Sequence, residues 1–227
     1  MRNIKKGKTS SFFVRIGELL PGSLSRKISI VGERIALGSW FKSHFKGEIH
    51  PVNHRFELLS IGLQEIERNF VYLEFGVASG DSMRHVADKA IEMEGVELHG
   101  FDTFTGLSES HHDAVMIGSF NQFGATPQIE GVNWHVGFFQ ETFFGDEDYL
   151  ESKLFVMMDA DLYSSTRYIL EKIALKLKDG DLIYFDDLHV PNQERLAVSE
   201  ALRKGLKLKL VGRSAEGRSA LFRIIGN

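Results

Sequence analysis

The hydrophobic pattern of the chain changes character near residue 70. Beyond that point, short apolar runs without polar alternation recur between longer stretches of helical spacing. Such runs are typical of strands that are buried on both faces of a parallel sheet. The pattern predicts five of these strands, at 71–76, 96–102, 132–137, 153–161 and 181–187.

Helical spacing fills the intervals between the strands. The predicted helices cover 53–69 with Asn53 as N-cap, 83–94 ended by Gly95, 140–152, 166–178 with Ser164 or Ser165 as N-cap, and 192–204. Segments 207–212 and 219–225 are joined by a glycine-containing turn and should pair as an antiparallel hairpin. The alternation predicts an α/β fold with a mainly parallel sheet and a C-terminal antiparallel hairpin.

The first 52 residues differ from the rest in charge and pattern. We expect residues 1–52 to form a helical, partly mobile N-terminal extension and residues 53–227 to form the main domain. Residues 1–50 carry ten Lys or Arg against three Glu, a net charge of +7, so the remaining 177 residues carry −11. A basic arm could touch nucleic acid or a membrane surface, but a solvated terminus is the simpler interpretation. The acidic main domain argues against nucleic acid as the ligand.

Composition excludes several classes of site. The chain of 227 residues has no cysteine, which removes disulfides, thiolate nucleophiles and cysteine-based metal centres. No apolar run reaches the roughly 18 residues of a membrane span. The basic start is not followed by the apolar segment of a secretory signal, so a cytoplasmic location is expected. An apolar patch at Trp40 and Phe41 would suit a homo-oligomer.

Acidic residues stand at the ends of four of the five predicted strands. They are Glu74, Asp102, Asp159, Asp161, Asp186 and Asp187. Right-handed crossovers bring the carboxyl ends of parallel strands to one rim, where ligand crevices form. Side chains two residues apart in extended chain share a face, and adjacent ones do not. Asp186 and Asp187 could therefore hold one ion only if their strand ends between them.

The turn after the first strand bears on the cofactor. A dinucleotide loop has the pattern G-x-G-x-x-G, but Val77 and Ala78 stand where its middle glycine belongs. A pyrophosphate is therefore disfavoured, whereas a nucleoside would fit against the turn, with Asp102 accepting its ribose hydroxyls. These features suit S-adenosylmethionine, although a plain tight turn explains the glycines equally well.

Several segments together resemble the macrocin O-methyltransferase family. They are EFGV at 74–77, GFDTFTGL at 100–107, GFFQETF at 137–143, DADLYSST at 159–166 and FDD at 185–187. The resemblance covers about residues 70–190 and implies a Rossmann-like class I methyltransferase fold. It also implies methyl transfer from S-adenosylmethionine to a sugar hydroxyl, with a bound metal ion.

The resemblance assigns roles to individual residues. Asp159, Asp186 and Asp187 would hold Mg²⁺ or another hard divalent cation, and Asp161 would be the general base. Carboxylates are ligands that hard cations prefer, and an alcohol becomes a good nucleophile only as its proton leaves. The cofactor-binding residues would be Glu74, Gly76, Asp102, Phe104 and Gly137.

Two other functions stay open from the sequence. A metal-dependent glycosyltransferase or phosphate-ester hydrolase could use Asp159 and Asp161, but it would need basic residues at the pocket. Only Arg84 and Arg167 lie near the motifs. A non-catalytic protein that binds S-adenosylmethionine is the other alternative.

Overall fold

A seven-stranded sheet forms the centre of the computed structural model, which describes residues 6–46, 51–66, 68–110 and 115–226. Its strands are β1 (Phe70–Phe75), β2 (Glu97–Asp102), β3 (Val132–Val136), β4 (Lys153–Met158), β5 (Leu182–Phe185), β6 (Leu208–Arg213) and β7 (Ala220–Ile224). The spatial order is β3-β2-β1-β4-β5-β7-β6. Strands β1 to β5 are parallel, and β7 runs antiparallel to both β5 and β6. The predicted mainly parallel sheet with a C-terminal hairpin is confirmed.

The central strands are buried because helices cover both faces of the sheet. Every residue of β1 and β5 is buried, which explains why their sequences are apolar apart from Glu74. Side chains of β1 alternate between two cores: Leu73 and Phe75 pack on one face, and Tyr72 packs on the other.

The helices are α1 (Lys6–Leu19), α2 (Gly22–His44), α3 (Arg55–Glu65), α4 (Asp81–Ala90), α5 (Phe139–Thr142), α6 (Tyr163–Ile173) and α7 (Glu194–Arg203). Helices α3 and α4 share the core that contains Tyr72, and α6 and α7 share the core on the opposite face.

Two predicted helix starts are wrong. The N-cap of α3 is His54, whose ring nitrogen accepts a backbone hydrogen bond from the first turn, rather than Asn53. Ser164 and Ser165 lie inside α6 and do not cap it, because that helix begins one residue before Ser164. In both places, the polar residue that the sequence favours as a cap lies one to three positions from the observed N-cap.

The predicted helix over 140–152 is also wrong. Helix α5 ends at Thr142, and only a single 3₁₀ turn follows, at Asp148–Glu151. Between them, the carboxylate of Glu147 accepts hydrogen bonds from the backbone N–H groups of Phe144 and Gly145. These bonds stabilise a turn, and Gly145 has a positive φ of 81°, which interrupts the helix.

Helices α1 and α2 confirm the helical character of the N-terminal extension, while its status as a separate unit stays a prediction. The end of α2 packs on the sheet: Phe41 is buried, and Trp40 Nε1 donates a hydrogen bond of 2.9 Å to Ser199 Oγ. These two residues therefore do not form the exposed patch expected from the sequence. Exposed apolar side chains lie earlier in α1 and α2, at residues such as Phe12 and Ile28. In the ranges described, no helix has the length and apolarity needed to cross a membrane.

Candidate active site

A cavity of about 450 Å³ opens beyond the carboxyl ends of β1, β2, β4 and β5. Its size falls within the roughly 300–1,000 Å³ of small-molecule pockets. It lies beside the β1–β4 pair, where the chain order of the sheet reverses and ligands bind in open α/β folds. Of the residues predicted from the sequence, those that line it are Gly76, Asp102, Gly137, Asp159, Asp161 and Asp186.

Glu74 does not line the cavity. It lies one residue before the end of β1, so its side chain points into the core beside α4 rather than toward the rim. Its carboxyl group accepts hydrogen bonds from Tyr72 Oη at 2.9 Å and from Ser82 Oγ at 2.6 Å. Burial raises the pKa of Glu74 to about 7, against the opposing effect of these two bonds. Through its bond with Ser82, Glu74 stabilises the start of α4. Contact between Glu74 and a cofactor stays a prediction.

Phe104 is also buried away from the cavity. Its ring packs edge-to-face on Trp134, with 5.8 Å between centroids. Its carbonyl oxygen accepts hydrogen bonds from the backbone N–H groups of Gln122 and Gly124. Phe104 therefore shapes the long loop after β2 from the inside.

Asp102 organises the turn that follows β1. Its Oδ2 accepts hydrogen bonds of 2.8 Å from the backbone N–H groups of Val77 and Ala78, and its Oδ1 accepts one of 2.8 Å from Phe104. Its carbonyl oxygen accepts a bond of 3.0 Å from the N–H of Gly137. A carboxylate oxygen can accept two hydrogen bonds, so Oδ1 keeps one acceptor position. Asp102 can thus hold the turn and still bind a ligand hydroxyl.

The carboxylates of Asp159 and Asp186 meet at one guanidinium group. Arg55 Nη1 lies 3.4 Å from Asp159 Oδ2 and 3.2 Å from Asp186 Oδ2. On its other side, Asp186 Oδ1 accepts hydrogen bonds from Tyr184 Oη at 2.7 Å and Ser219 Oγ at 3.1 Å. Burial opposes the charge on Arg55, but the two carboxylates outweigh it and raise the pKa of the guanidinium. The structure therefore brings the ends of β4 and β5 together around a positive charge.

A second guanidinium lies beside Asp187. Arg218 Nε is 2.8 Å from Asp187 Oδ1, and its Nη2 is 3.9 Å from Asp186 Oδ2. The carboxyl groups of Asp161 and Asp187 lie close enough to interact electrostatically. Burial, and then the charge of Asp187, raise the pKa of Asp161 to about 8. From α7, Glu194 Oε2 accepts a bond of 2.7 Å from the backbone N–H of Asp187.

The end of β5 differs from the sequence prediction by one residue. The strand ends at Phe185, before both aspartates, rather than between them. Asp186 lines the cavity, whereas Asp187 lies behind it and contacts Arg218.

The predicted magnesium site does not fit this arrangement. Among the residues that the structure describes, no group of three or more His, Asp or Glu side chains is placed to hold a metal ion. The space that Asp159 and Asp186 face holds the guanidinium of Arg55. The acids that the sequence marked as ligands are therefore gathered, but around arginine.

The basic residues of the pocket are not those that the sequence indicated. Arg84 bonds to the carbonyl oxygen of Gln128 and Arg167 pairs with Glu171 on α6, and neither lines the cavity. Arg55 and Arg218 do. One signal could have marked Arg55: it opens α3, and a cation at a helix N-terminus opposes the helix dipole. A residue in that unfavourable position needs an acidic partner from elsewhere in the fold.

Comparison with known proteins decides the fold. No model of a known protein family matches this chain, and no curated protein matches it in sequence. Several solved structures resemble it over most of its length. The crystal structure of CalS11, a calicheamicin methyltransferase, has a TM-score of 0.53 at 20% identity and covers 98% of this chain and 94% of its own. The O-methyltransferase NovP has a TM-score of 0.56 at 18% identity and covers 76% and 80%.

The apo structure of CalS11, described as a TDP-rhamnose 3′-O-methyltransferase, has a TM-score of 0.50 at 24% identity and covers 74% and 76%. The fold is that of the class I methyltransferases. In this methyltransferase fold, the acid-lined cavity of the present chain lies at the carboxyl rim of the parallel strands.

Proposed function

We propose that this protein is an O-methyltransferase that moves a methyl group from S-adenosylmethionine to a hydroxyl of a sugar, in a natural product or a glycan. One observation carries the proposal: Asp102, at the end of β2, and Asp161, after β4, line the same cavity in a methyltransferase fold. Asp102 is placed to bind the ribose hydroxyls of a nucleoside, and Asp161 is placed to take the proton of an acceptor hydroxyl.

The cofactor side of the cavity is the turn after β1. Gly76 and Ala78 of this turn line the cavity, and the carboxylate of Asp102 fixes the turn. We propose that the free acceptor position of Asp102 Oδ1 binds a ribose hydroxyl. The turn offers little support for a pyrophosphate, since Asp102 already accepts the N–H groups that a phosphate would need.

The charge of the cavity suits a cation. Six acidic side chains line it, against two arginines. They are Asp81, Asp102, Glu109, Asp159, Asp161 and Asp186, with Arg55 and Arg218. When bound, S-adenosylmethionine supplies an electrophilic methyl group on a positively charged sulfonium. Opposite charges at short range favour such a ligand over a phosphate ester.

The acceptor side of the cavity begins at Asp161. We propose that Asp161, in its ionised form, takes the proton of the acceptor hydroxyl as the new oxygen–carbon bond forms and the carbon–sulfur bond breaks. Because the pKa of Asp161 is raised to about 8, the ionised fraction and the transfer rate should rise as the pH increases through that value. The enzyme's further task is to align the oxygen with the methyl group, and walls formed by separate strands can fix both partners. Asp187, which interacts electrostatically with Asp161, is itself held by Arg218.

The choice of a sugar rests on two likenesses. The motifs of this chain resemble those of macrocin O-methyltransferases, and one similar structure is described as acting on TDP-rhamnose. The magnesium ion that the motif resemblance implies is not used in this mechanism, because Arg55 lies between two of its expected ligands.

A transfer assay tests the proposal. The protein is incubated with S-adenosylmethionine carrying a labelled methyl group and a panel of free sugars, nucleotide-linked sugars, glycosylated natural products and oligosaccharides. The expected result is label in at least one sugar-containing acceptor together with stoichiometric S-adenosylhomocysteine. Binding of the cofactor without transfer to any member of the panel would count against a sugar acceptor.

A further inference from the structure

The position of Arg55 is fixed by the chain around it. The segment before α3 is tied to the hairpin of β6 and β7: Val52 N donates to Arg213 O at 3.0 Å, and Ala215 N donates to Val52 O at 2.9 Å. The guanidinium carbon of Arg55 lies 5.4 Å from the ring centroid of Phe56, within range of a cation–π contact. The side chain is only 33% exposed. Arg55 is thus built into the site rather than resting on its surface.

The same hairpin fixes one of the carboxylates. Ser219, just before β7, donates from its Oγ to the carbonyl oxygen of Asp186 at 3.2 Å and to Asp186 Oδ1 at 3.1 Å. The hairpin therefore positions the arginine and its acidic partner together. Asp186 Oδ2, which faces away from Ser219, is the oxygen that contacts Arg55.

A positive charge stabilises this position. The partly exposed Asp159 and the buried Asp186 approach one atom of the same guanidinium from two strands, and carboxylates this close repel each other unless a cation lies between them or one of them takes up a proton. A divalent ion and an arginine both meet that need, but they cannot occupy the same space.

We propose that Arg55 is the resident cation of this acidic cluster, and that a divalent metal ion binds Asp159 and Asp186 only by displacing it. In this chain, the charge that neutralises the cluster is covalently part of the protein. The metal affinity of the cluster is therefore low in the native protein and is set by Arg55. The inference concerns cation binding alone and does not depend on the proposed methyl transfer.

The test is a titration with Mn²⁺ in the absence of any substrate. Electron paramagnetic resonance measures the concentration of the free ion at each step. Three proteins are compared: the native chain, Arg55→Gln and Arg55→Lys. We expect Arg55→Gln to bind one Mn²⁺ at least about tenfold more tightly than the native protein, which corresponds to ~1.4 kcal/mol. Arg55→Lys keeps a positive charge and should show a smaller but measurable increase. Equal affinity in all three proteins would overturn the proposal, as would tight binding to the native protein that weakens in the variants.

The matched control is Arg203→Gln, which removes an exposed arginine from α7 and changes the net charge equally. Its Mn²⁺ affinity should equal that of the native protein. An increase as large as that of Arg55→Gln would show that net charge, rather than displacement, sets the affinity, and would also overturn the proposal.

Thermal unfolding gives a second measure of metal binding that does not depend on the paramagnetic resonance of Mn²⁺. Without metal, Arg55→Gln should melt below the native protein, because its two carboxylates lose their shared partner. Added Mg²⁺ should raise the Tm of Arg55→Gln more than that of the native protein, since an ion that binds only the folded state stabilises it. Equal Tm shifts in the two proteins would contradict the proposal.

Discussion

Gly76 and Asp159 touch through their backbones. A Cβ atom at Gly76 would lie 1.9 Å from the carbonyl oxygen of Asp159, and Gly76 has a φ of +90°. The contact joins the turn after β1 to the end of β4, where Asp159 N donates to Phe75 O at 2.9 Å. The proposed cofactor turn and the acidic cluster therefore share one wall, and only glycine fits there.

Gly76→Ala should destabilise the fold and remove cofactor binding. The positive φ alone costs about 1–3 kcal/mol, and the close approach adds to it. Gly131→Ala is the matched control, because Gly131 has a φ of +76° with nothing within 4 Å of the added Cβ. Differential scanning calorimetry should show a clearly lower Tm for Gly76→Ala than for Gly131→Ala. An equal decrease in Tm for the two variants would mean that the added Cβ at Gly76 does not clash with Asp159.

Asp102→Ala should weaken binding of S-adenosylmethionine. The change removes the acceptor for the N–H groups of Val77 and Ala78, and each donor left without a partner costs about 1–3 kcal/mol. Calorimetry should show an affinity loss of at least about tenfold. Asp88→Ala, on the exposed face of α4, is the control and should bind as the native protein does. Unchanged affinity in Asp102→Ala would remove Asp102 from the cofactor site.

Asp161→Asn should stop transfer and spare cofactor binding. The amide cannot take the proton of the acceptor, and loss of a general base typically lowers the rate by about 10²–10⁴. The dissociation constant for S-adenosylmethionine should stay within about twofold, because Asp161 is assigned to the acceptor side. Single-turnover kinetics with an acceptor from the panel, and Asp146→Asn as an exposed control, measure both effects. Full activity in Asp161→Asn would exclude it as the base.

His99 should contribute stability that is lost as the pH drops below about 6.5. This side chain is buried beside the ring of Tyr149, with Nδ1 2.9 Å from His135 Nε2 and Nε2 2.9 Å from Glu97 Oε1. Burial lowers the pKa of His99 against the opposing charges of Glu97 and Glu147. The unfolded chain therefore binds more protons below its histidine pKa, so the stabilisation is complete above that value and is lost as the pH falls.

Urea unfolding between pH 5 and 8 measures this effect. The difference in the free energy of unfolding between the native protein and His99→Gln should shrink as the pH falls. The raised pKa values of Glu74 and Asp161 favour the folded state at lower pH, but both carboxyl groups remain in the two proteins. His135, whose pKa is also lowered by burial, remains in both proteins, so the difference reports His99. Parallel curves would show that His99 is not linked to folding.

The strands were predictable because burial on both faces leaves a direct mark on sequence. The mainly apolar runs of β1, β4 and β5 indicated their positions to within a few residues. Helix starts were less predictable, since at α3 a histidine side chain took the capping role expected of Asn53. The residues around 140–152 failed as a helix because the Glu147 carboxylate stabilises a turn instead, which depends on geometry that periodicity does not contain.

The acids of the site were predictable, whereas their partners were not. Asp102, Asp159, Asp161 and Asp186 line the cavity as strand-end positions should. Glu74 does not line the cavity. It lies one residue before the end of β1, and a shift of one residue along a strand moves a side chain to the opposite face. Arg55 and Asp186 lie 131 positions apart in the sequence, and the C-terminal hairpin of β6 and β7 holds both in place. No local sequence pattern indicates that they are in contact.

Isothermal titration calorimetry with S-adenosylmethionine tests the central claim most directly. The native protein should bind one equivalent with a dissociation constant in the micromolar range, and Asp102→Ala should bind at least about tenfold more weakly. UDP-sugar, titrated alone, should give no comparable heat. A native protein that binds UDP-sugar but does not bind S-adenosylmethionine would contradict the account and favour a glycosyltransferase.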